Sequence, residues 1–86
     1  MSDNKSFYLY TVADCSFCKK AKELIEKEGH AQVAWEVSPE DPRLDVLKQK
    51  ANWKTVPMVY EYEGVNHKFI GGYTELRDYL GGGDSE

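Results

Sequence analysis

The two cysteines of the chain, Cys15 and Cys18, stand in the stretch DCSFCKKA with two residues between them. What flanks them constrains the fold more than any other feature. Before them runs FYLYTV, residues 7–12, a β-branched and aromatic run suited to a buried strand. After them, residues 17–28 place Cys18, Ala21, Leu24 and Ile25 at spacings of three and four, the period of a helix face. Gly29 supplies a stop. A strand running straight into a helix is the first half of a β-α-β unit, whose strands pair in parallel through a right-handed crossover. A thiol pair at this spacing can be a redox couple, half of a metal site, or a structural staple.

The rest of the chain completes the pattern. Val33, Trp35 and Val37 alternate with polar neighbours, as a strand does. SPEDP, residues 38–42, combines capping residues with prolines that a first helical turn accepts. Leu44, Leu47 and Ala51 then mark one face of a second helix. Residues 57–62 and 67–70 read as two strands, with Gly64 and Asn66 in the turn of a hairpin. Gly71 and Gly72 break the second of these, and Thr74 is expected to cap a last short helix with Leu76, Tyr79 and Leu80 facing inward. The order β-α-β-α-β-β-α describes an α/β fold, a four-stranded mixed sheet flanked by three helices. The chain of 86 residues is expected to form one domain, ordered over about 5–80, with a flexible, Gly-rich, acidic tail at 81–86.

Charge narrows the partners. Eleven basic against fifteen acidic residues give a net charge of -4, which argues against a nucleic-acid or anionic-membrane surface. Residues 1–6 are polar and carry no signal-peptide core, and no apolar run approaches the roughly 20 residues that span a bilayer. The expectation is a soluble, cytoplasmic monomer. In a reducing compartment, two cysteines in a short chain are more often catalytic or metal-binding than structural.

The placement of the pair favours reactivity. The thiolate is the nucleophile in thiol–disulfide exchange, and a free cysteine with a pKa near about 8.5 is only a few per cent thiolate at neutral pH. A helix N-terminus offers unpaired N–H donors and partial positive charge, and both stabilise a thiolate at Cys15. Lys19 and Lys20 add positive charge. Cys15, at the mouth of the helix, attacks first; Cys18, one turn further in and more buried, resolves the mixed disulfide. The bland reading is a passive local disulfide. A zinc site needs four ligands as a rule, and here only His30 and His67 join the cysteines, without the usual close spacing. Each reads better as a surface histidine, and no obligatory metal is expected.

Three blocks now carry a resemblance: YTVADCSFC (10–18), TVP (55–57) and GGYTEL (71–76). In order and separation the chain resembles a dithiol glutaredoxin of the thioredoxin-fold superfamily, over about residues 5–80, in the manner of the small phage and bacterial members. The resemblance implies a thioredoxin-like fold and a glutathione-dependent thiol–disulfide oxidoreductase, acting on protein disulfides and glutathione mixed disulfides. Pro57 corresponds to the cis-proline facing the active cysteine, and Val56 to the residue whose backbone pairs with an extended thiol peptide. Thr55 belongs to the same loop. Lys54 would meet the glycyl carboxylate of glutathione. The γ-glutamyl end would lie by Gly72, Tyr73 and Thr74 at the start of the last helix, where an anion is also physically suited. Phe17 would form a groove wall beside Cys15. Tyr10 and Trp53 fit core packing better than the groove. Ribonucleotide reductase, a frequent client in the family, enters by analogy only.

The departures from the family pattern also matter. Many members carry Pro and Tyr between the cysteines, where this chain has Ser16 and Phe17. Some members without that proline hold a [2Fe-2S] cluster between two subunits with glutathione as ligand, so a dimeric cluster carrier, bridged through Cys15, is the alternative expectation. Many members have a lysine shortly before the first cysteine; Val12 stands there instead, which leaves more to Lys54. The Trp-Cys-Gly-Pro-Cys hallmark of a thioredoxin is absent, which counts against electron supply from a thioredoxin reductase.

Overall fold

The computed structural model describes residues 5–81. Its elements are β1 (Ser6–Thr11), α1 (Ser16–Lys27), β2 (Ala31–Glu36), α2 (Pro42–Ala51), β3 (Met58–Glu63), β4 (Asn66–Gly71) and α3 (Tyr73–Tyr79). The expected series is therefore present, and the strands form one mixed sheet in the order β2-β1-β3-β4. The architecture is thioredoxin-like. β1 pairs in parallel with β2, bringing Tyr8 to Val33 and Tyr10 to Trp35. It pairs antiparallel with β3, bringing Tyr8 to Tyr60 and Tyr10 to Met58. The last register sets the C-terminal end of β1 beside the N-terminal end of β3. That is the end of the sheet from which both the cysteine loop and the TVP loop emerge.

Alternation along the strands divides the sheet into two faces. On one, Phe7, Leu9 and Val59 meet Ala21 and Ile25 of α1 and Leu76 of α3 in a fully buried core. Burying a side chain as large as Ile or Phe stabilises by about 1.5–3 kcal/mol, so α1 and α3 are held mainly by these contacts. The other face is ringed by Tyr8, Tyr10, Tyr60, Tyr62, Trp35 and Phe69, which the pairing places side by side. α2 lies at one end of that face: Leu44 is buried, and with Leu47 it shares a hollow with Tyr10 and Trp35.

Local signals behave largely as their chemistry requires. Asp41 caps α2 through its side chain, accepting from the Arg43 N–H at 2.9 Å, and Pro42 opens the first turn. Glu28 ends α1 and Gly29 follows at φ +82.

β2 alternates as expected, and Val33 and Trp35 are 45% and 54% exposed, because their register with Tyr8 and Tyr10 puts them on the face away from α1. Two expectations fail. Gly72, and not Thr74, is the N-cap of α3; the Gly72 N–H donates to Glu75 Oε1 at 3.0 Å, and Thr74 is already inside the helix. Tyr79 is exposed instead of inward. Leu76 and Leu80, four apart, take the core-facing line, and the Tyr79 hydroxyl donates to Glu61 of β3. Lys5 Nζ reaches the same carboxylate at 3.3 Å. Of the tail expected to be flexible, residues 82–86 lie outside the described residues.

Candidate active site

The site begins where β1 ends at Thr11. Asp14 turns the chain at φ +57, a left-handed conformation that Asp accepts more readily than most residues. Cys15 then takes extended backbone angles as the N-cap of α1. Its carbonyl accepts the helix's first bond from the Lys19 N–H at 3.2 Å. Its Sγ accepts from the Cys18 N–H at 3.1 Å, so a sulfur stands where a Ser or Asp oxygen usually caps a helix. Cys15 and Cys18 form a disulfide across Cα atoms 5.2 Å apart. Cys15 is half-buried and Cys18 is 2% exposed, so Cys15 is the more accessible of the two sulfur-bearing residues.

The TVP loop enters from the neighbouring strand. The Val56–Pro57 bond is cis and Pro57 is buried at the threshold of β3. The third wall comes from the end of β4. Gly71 has φ +132, and Gly72 lies so near the TVP loop that a Cβ on it would be 3.6 Å from the Pro57 carbonyl oxygen and 3.7 Å from Cζ2 of Trp53. The Phe17 and Tyr73 rings lie 6.1 Å apart and tilted by 30°, joining the first turn of α1 to that of α3. Phe17 is 53% exposed, and the Lys20 ammonium stands 5.4 Å from its ring centroid.

The structure thus links Phe17 to Tyr73, and Gly72 to Pro57, around the cysteine-bearing helix end. Lys54, Thr55 and Thr74 are exposed, and among the described residues no side-chain hydrogen bond or ion pair joins them to another group. Lys54 lines a hollow with Lys48, Gln49 and Trp53 at the C-terminal end of α2. Among the described residues there is no group of three or more His, Cys, Asp and Glu able to hold a metal.

Two further groups shape the site. Trp53 packs against Gly72 and meets the Phe69 ring edge-on at 5.3 Å. Glu75 holds the Gly72 N–H from three residues on, as in a capping box, a spacing hidden in the sequence by the reading of Thr74 as the cap.

The glutaredoxin family profile matches residues 8–70, which take in most of β1, both cysteines, the cis-proline and most of β4. The chain belongs to the glutaredoxin family. Two curated relatives agree. Glutaredoxin 1 of Rickettsia bellii is 35% identical over 74 residues, covering 81% of this chain and 71% of the relative. Glutaredoxin 1 of Rickettsia conorii is 31% identical over 72 residues, covering 81% and 67%. Family and geometry together make this glutaredoxin a thiol–disulfide oxidoreductase whose redox-active disulfide is Cys15–Cys18.

Proposed function

We propose that this glutaredoxin is glutathione-dependent and cytoplasmic, and that it reduces protein disulfides and glutathione mixed disulfides, with Cys15 as nucleophile and Cys18 as resolving thiol. One observation carries the reading: Cys15 Sγ occupies the cap position of α1, 3.1 Å from the Cys18 N–H, while Cys18 lies buried behind it. In the reduced protein that N–H and the helix N-terminus stabilise a thiolate at Cys15.

In the single-thiol route, the Cys15 thiolate attacks the glutathione sulfur of a protein–glutathione disulfide. The protein thiolate leaves and takes a proton. A second glutathione thiolate then attacks the enzyme-bound glutathione sulfur, and glutathione disulfide departs. In the two-thiol route, Cys15 attacks a protein disulfide, and the Cys18 thiolate attacks Cys15 Sγ in the mixed disulfide. The second substrate thiol is released and the Cys15–Cys18 bond forms. Two glutathione thiols then reduce the Cys15–Cys18 bond in turn and leave as glutathione disulfide.

In the single-thiol route and in this regeneration, the glutathione moiety lies along the TVP loop. Val56 offers backbone N–H and C=O to the tripeptide beside Thr55 and the cis bond of Pro57. Lys54 meets the glycyl carboxylate. Gly72, Tyr73 and Thr74 receive the γ-glutamyl end, and Phe17 closes the side. The substrates are glutathionylated or disulfide-bearing proteins, and the enzyme acts as a monomer.

A glutathione-coupled assay on a small mixed disulfide tests this. Cys15→Ser is expected to lose turnover, whereas Cys18→Ser keeps the single-thiol route and loses reduction of protein disulfides. Full activity in Cys15→Ser would refute the assignment.

A further inference from the structure

Thiol–disulfide exchange moves electrons in pairs and leaves the back of the sheet unused. That face holds a connected set of rings. Trp53, against Gly72 at the rim of the site, meets Phe69 at 5.3 Å; Phe69 meets Tyr60 at 5.1 Å. Tyr60 stacks on Tyr8 at 4.9 Å with the ring planes 4° apart. The two ends of this series differ in what they can do with a proton. The Trp53 indole nitrogen is buried and has no hydrogen-bond partner among the described residues. The Tyr8 hydroxyl lies 2.8 Å from Nδ1 of the exposed His67, donating to it when that ring is neutral with its proton on Nε2.

We infer that these rings carry a one-electron oxidising equivalent from Trp53 to Tyr8, where His67 takes the phenolic proton. The oxidant is a peroxyl radical. It gains an electron from the indole and a proton from water and leaves as a hydroperoxide. The oxidised indole is a far stronger acid than the neutral one, but among the described residues its buried N–H has no acceptor. It stays a radical cation, which oxidises a neighbour more strongly than the deprotonated radical does. Tyr8 then gives an electron through Tyr60 and Phe69, its O–H bond breaks, and the proton passes to His67 Nδ1. Trp53 returns to neutral indole with its N–H intact, and Tyr8 is left as a neutral tyrosyl radical. The arrangement draws single-electron oxidation away from the site rim to the far face of the sheet.

The test is pulse radiolysis of the oxidised full-length protein in azide solution, because azidyl radicals attack indole rings first. The chain has two tryptophans, so Trp35→Phe leaves Trp53 alone to be oxidised. In that protein the indolyl absorption is expected to decay as the tyrosyl absorption grows, at a rate independent of protein concentration. Tyr8→Phe keeps the stacked ring and removes the phenol; it is expected to lose most of the tyrosyl yield. His67→Gln keeps a hydrogen-bond acceptor but not a base; it is expected to slow the transfer about a hundredfold, the low end of what a positioned general base contributes. Glutathione-coupled turnover is expected to be unchanged in both, and circular dichroism checks that each is folded. Unchanged yield and rate in folded Tyr8→Phe would overturn the relay, as would indolyl decay without tyrosyl growth in Trp35→Phe. If Tyr8→Phe fails to fold, an unchanged rate in His67→Gln overturns it instead.

Discussion

At Gly71 the backbone stands at φ +132, and a Cβ there would lie 2.7 Å from both Cβ and Cγ of Glu75. Gly71→Ala meets the strain and the overlap together. It is expected to cost about 1–3 kcal/mol, read as a lower urea midpoint at unchanged slope. Gly72 differs. Its φ of -96 suits any residue, and the nearest obstacle to a Cβ is the end of the Glu75 side chain at 3.3 Å. Gly72→Ala is expected to change stability little but to raise KM for glutathione, since the added methyl points between Trp53 and the Pro57 carbonyl. The sequence showed two adjacent glycines without distinguishing close approach from an unusual backbone angle. The structure assigns both needs to Gly71 and only the first to Gly72, because the angle depends on where β4 must stop. Cys15 and Cys18 were legible for the opposite reason: a helix start fixes which of two thiols three apart is outermost.

Among the elements, α3 adds to its core contacts a polar contact with a residue far from it in sequence. The Tyr79 hydroxyl and Lys5 both donate to Glu61, and the Lys5 and Lys68 ammonium groups stand over the Tyr79 ring. Tyr79→Phe is expected to cost about 0.5 kcal/mol, small because the bond is exposed. Burial pushes the Glu61 carboxyl up, but hydrogen bonds from Tyr79 and Lys5 and the charges of Lys5 and Lys68 outweigh it, so the group is held below its usual range. A carboxyl whose folded pKa is lowered contributes stability above its unfolded pKa and loses it as pH falls through the folded one. Glu61→Gln is therefore expected to flatten the acid limb of the stability curve, measured by urea unfolding across pH. The inward reading of Tyr79 failed because Leu76, Tyr79 and Leu80 share a helical spacing. In a helix of seven residues only the partner on β3 decides which of them turns outward.

For the molecule as a whole, the core is a single layer between the sheet and the α1–α3 pair. Ile25→Ala is expected to cost about 2–5 kcal/mol, a large share of the roughly 5–15 kcal/mol that holds a domain of this kind, and to lower the thermal midpoint accordingly. Strand and helix order was legible from periodicity and turn residues. Which face of β2 would be covered was not, since alternation separates two sets of side chains without saying which set α1 will meet. Val33 and Trp35 therefore joined the ring-bearing face, with Ala34 against the core.

The sheet order has one more consequence. β1 and β3 are the two inner strands, each bonded on both sides, and Tyr10 of β1 pairs with Met58 of β3. The loop to Cys15 leaves the end of one, and the cis-proline opens the other. In amide hydrogen exchange, these inner strands should be the last to open, after β2, β4 and the helix ends. Fraying at the margins of this protein would then leave thiol and proline in register, and the two sides of the site would separate only when the whole domain unfolds.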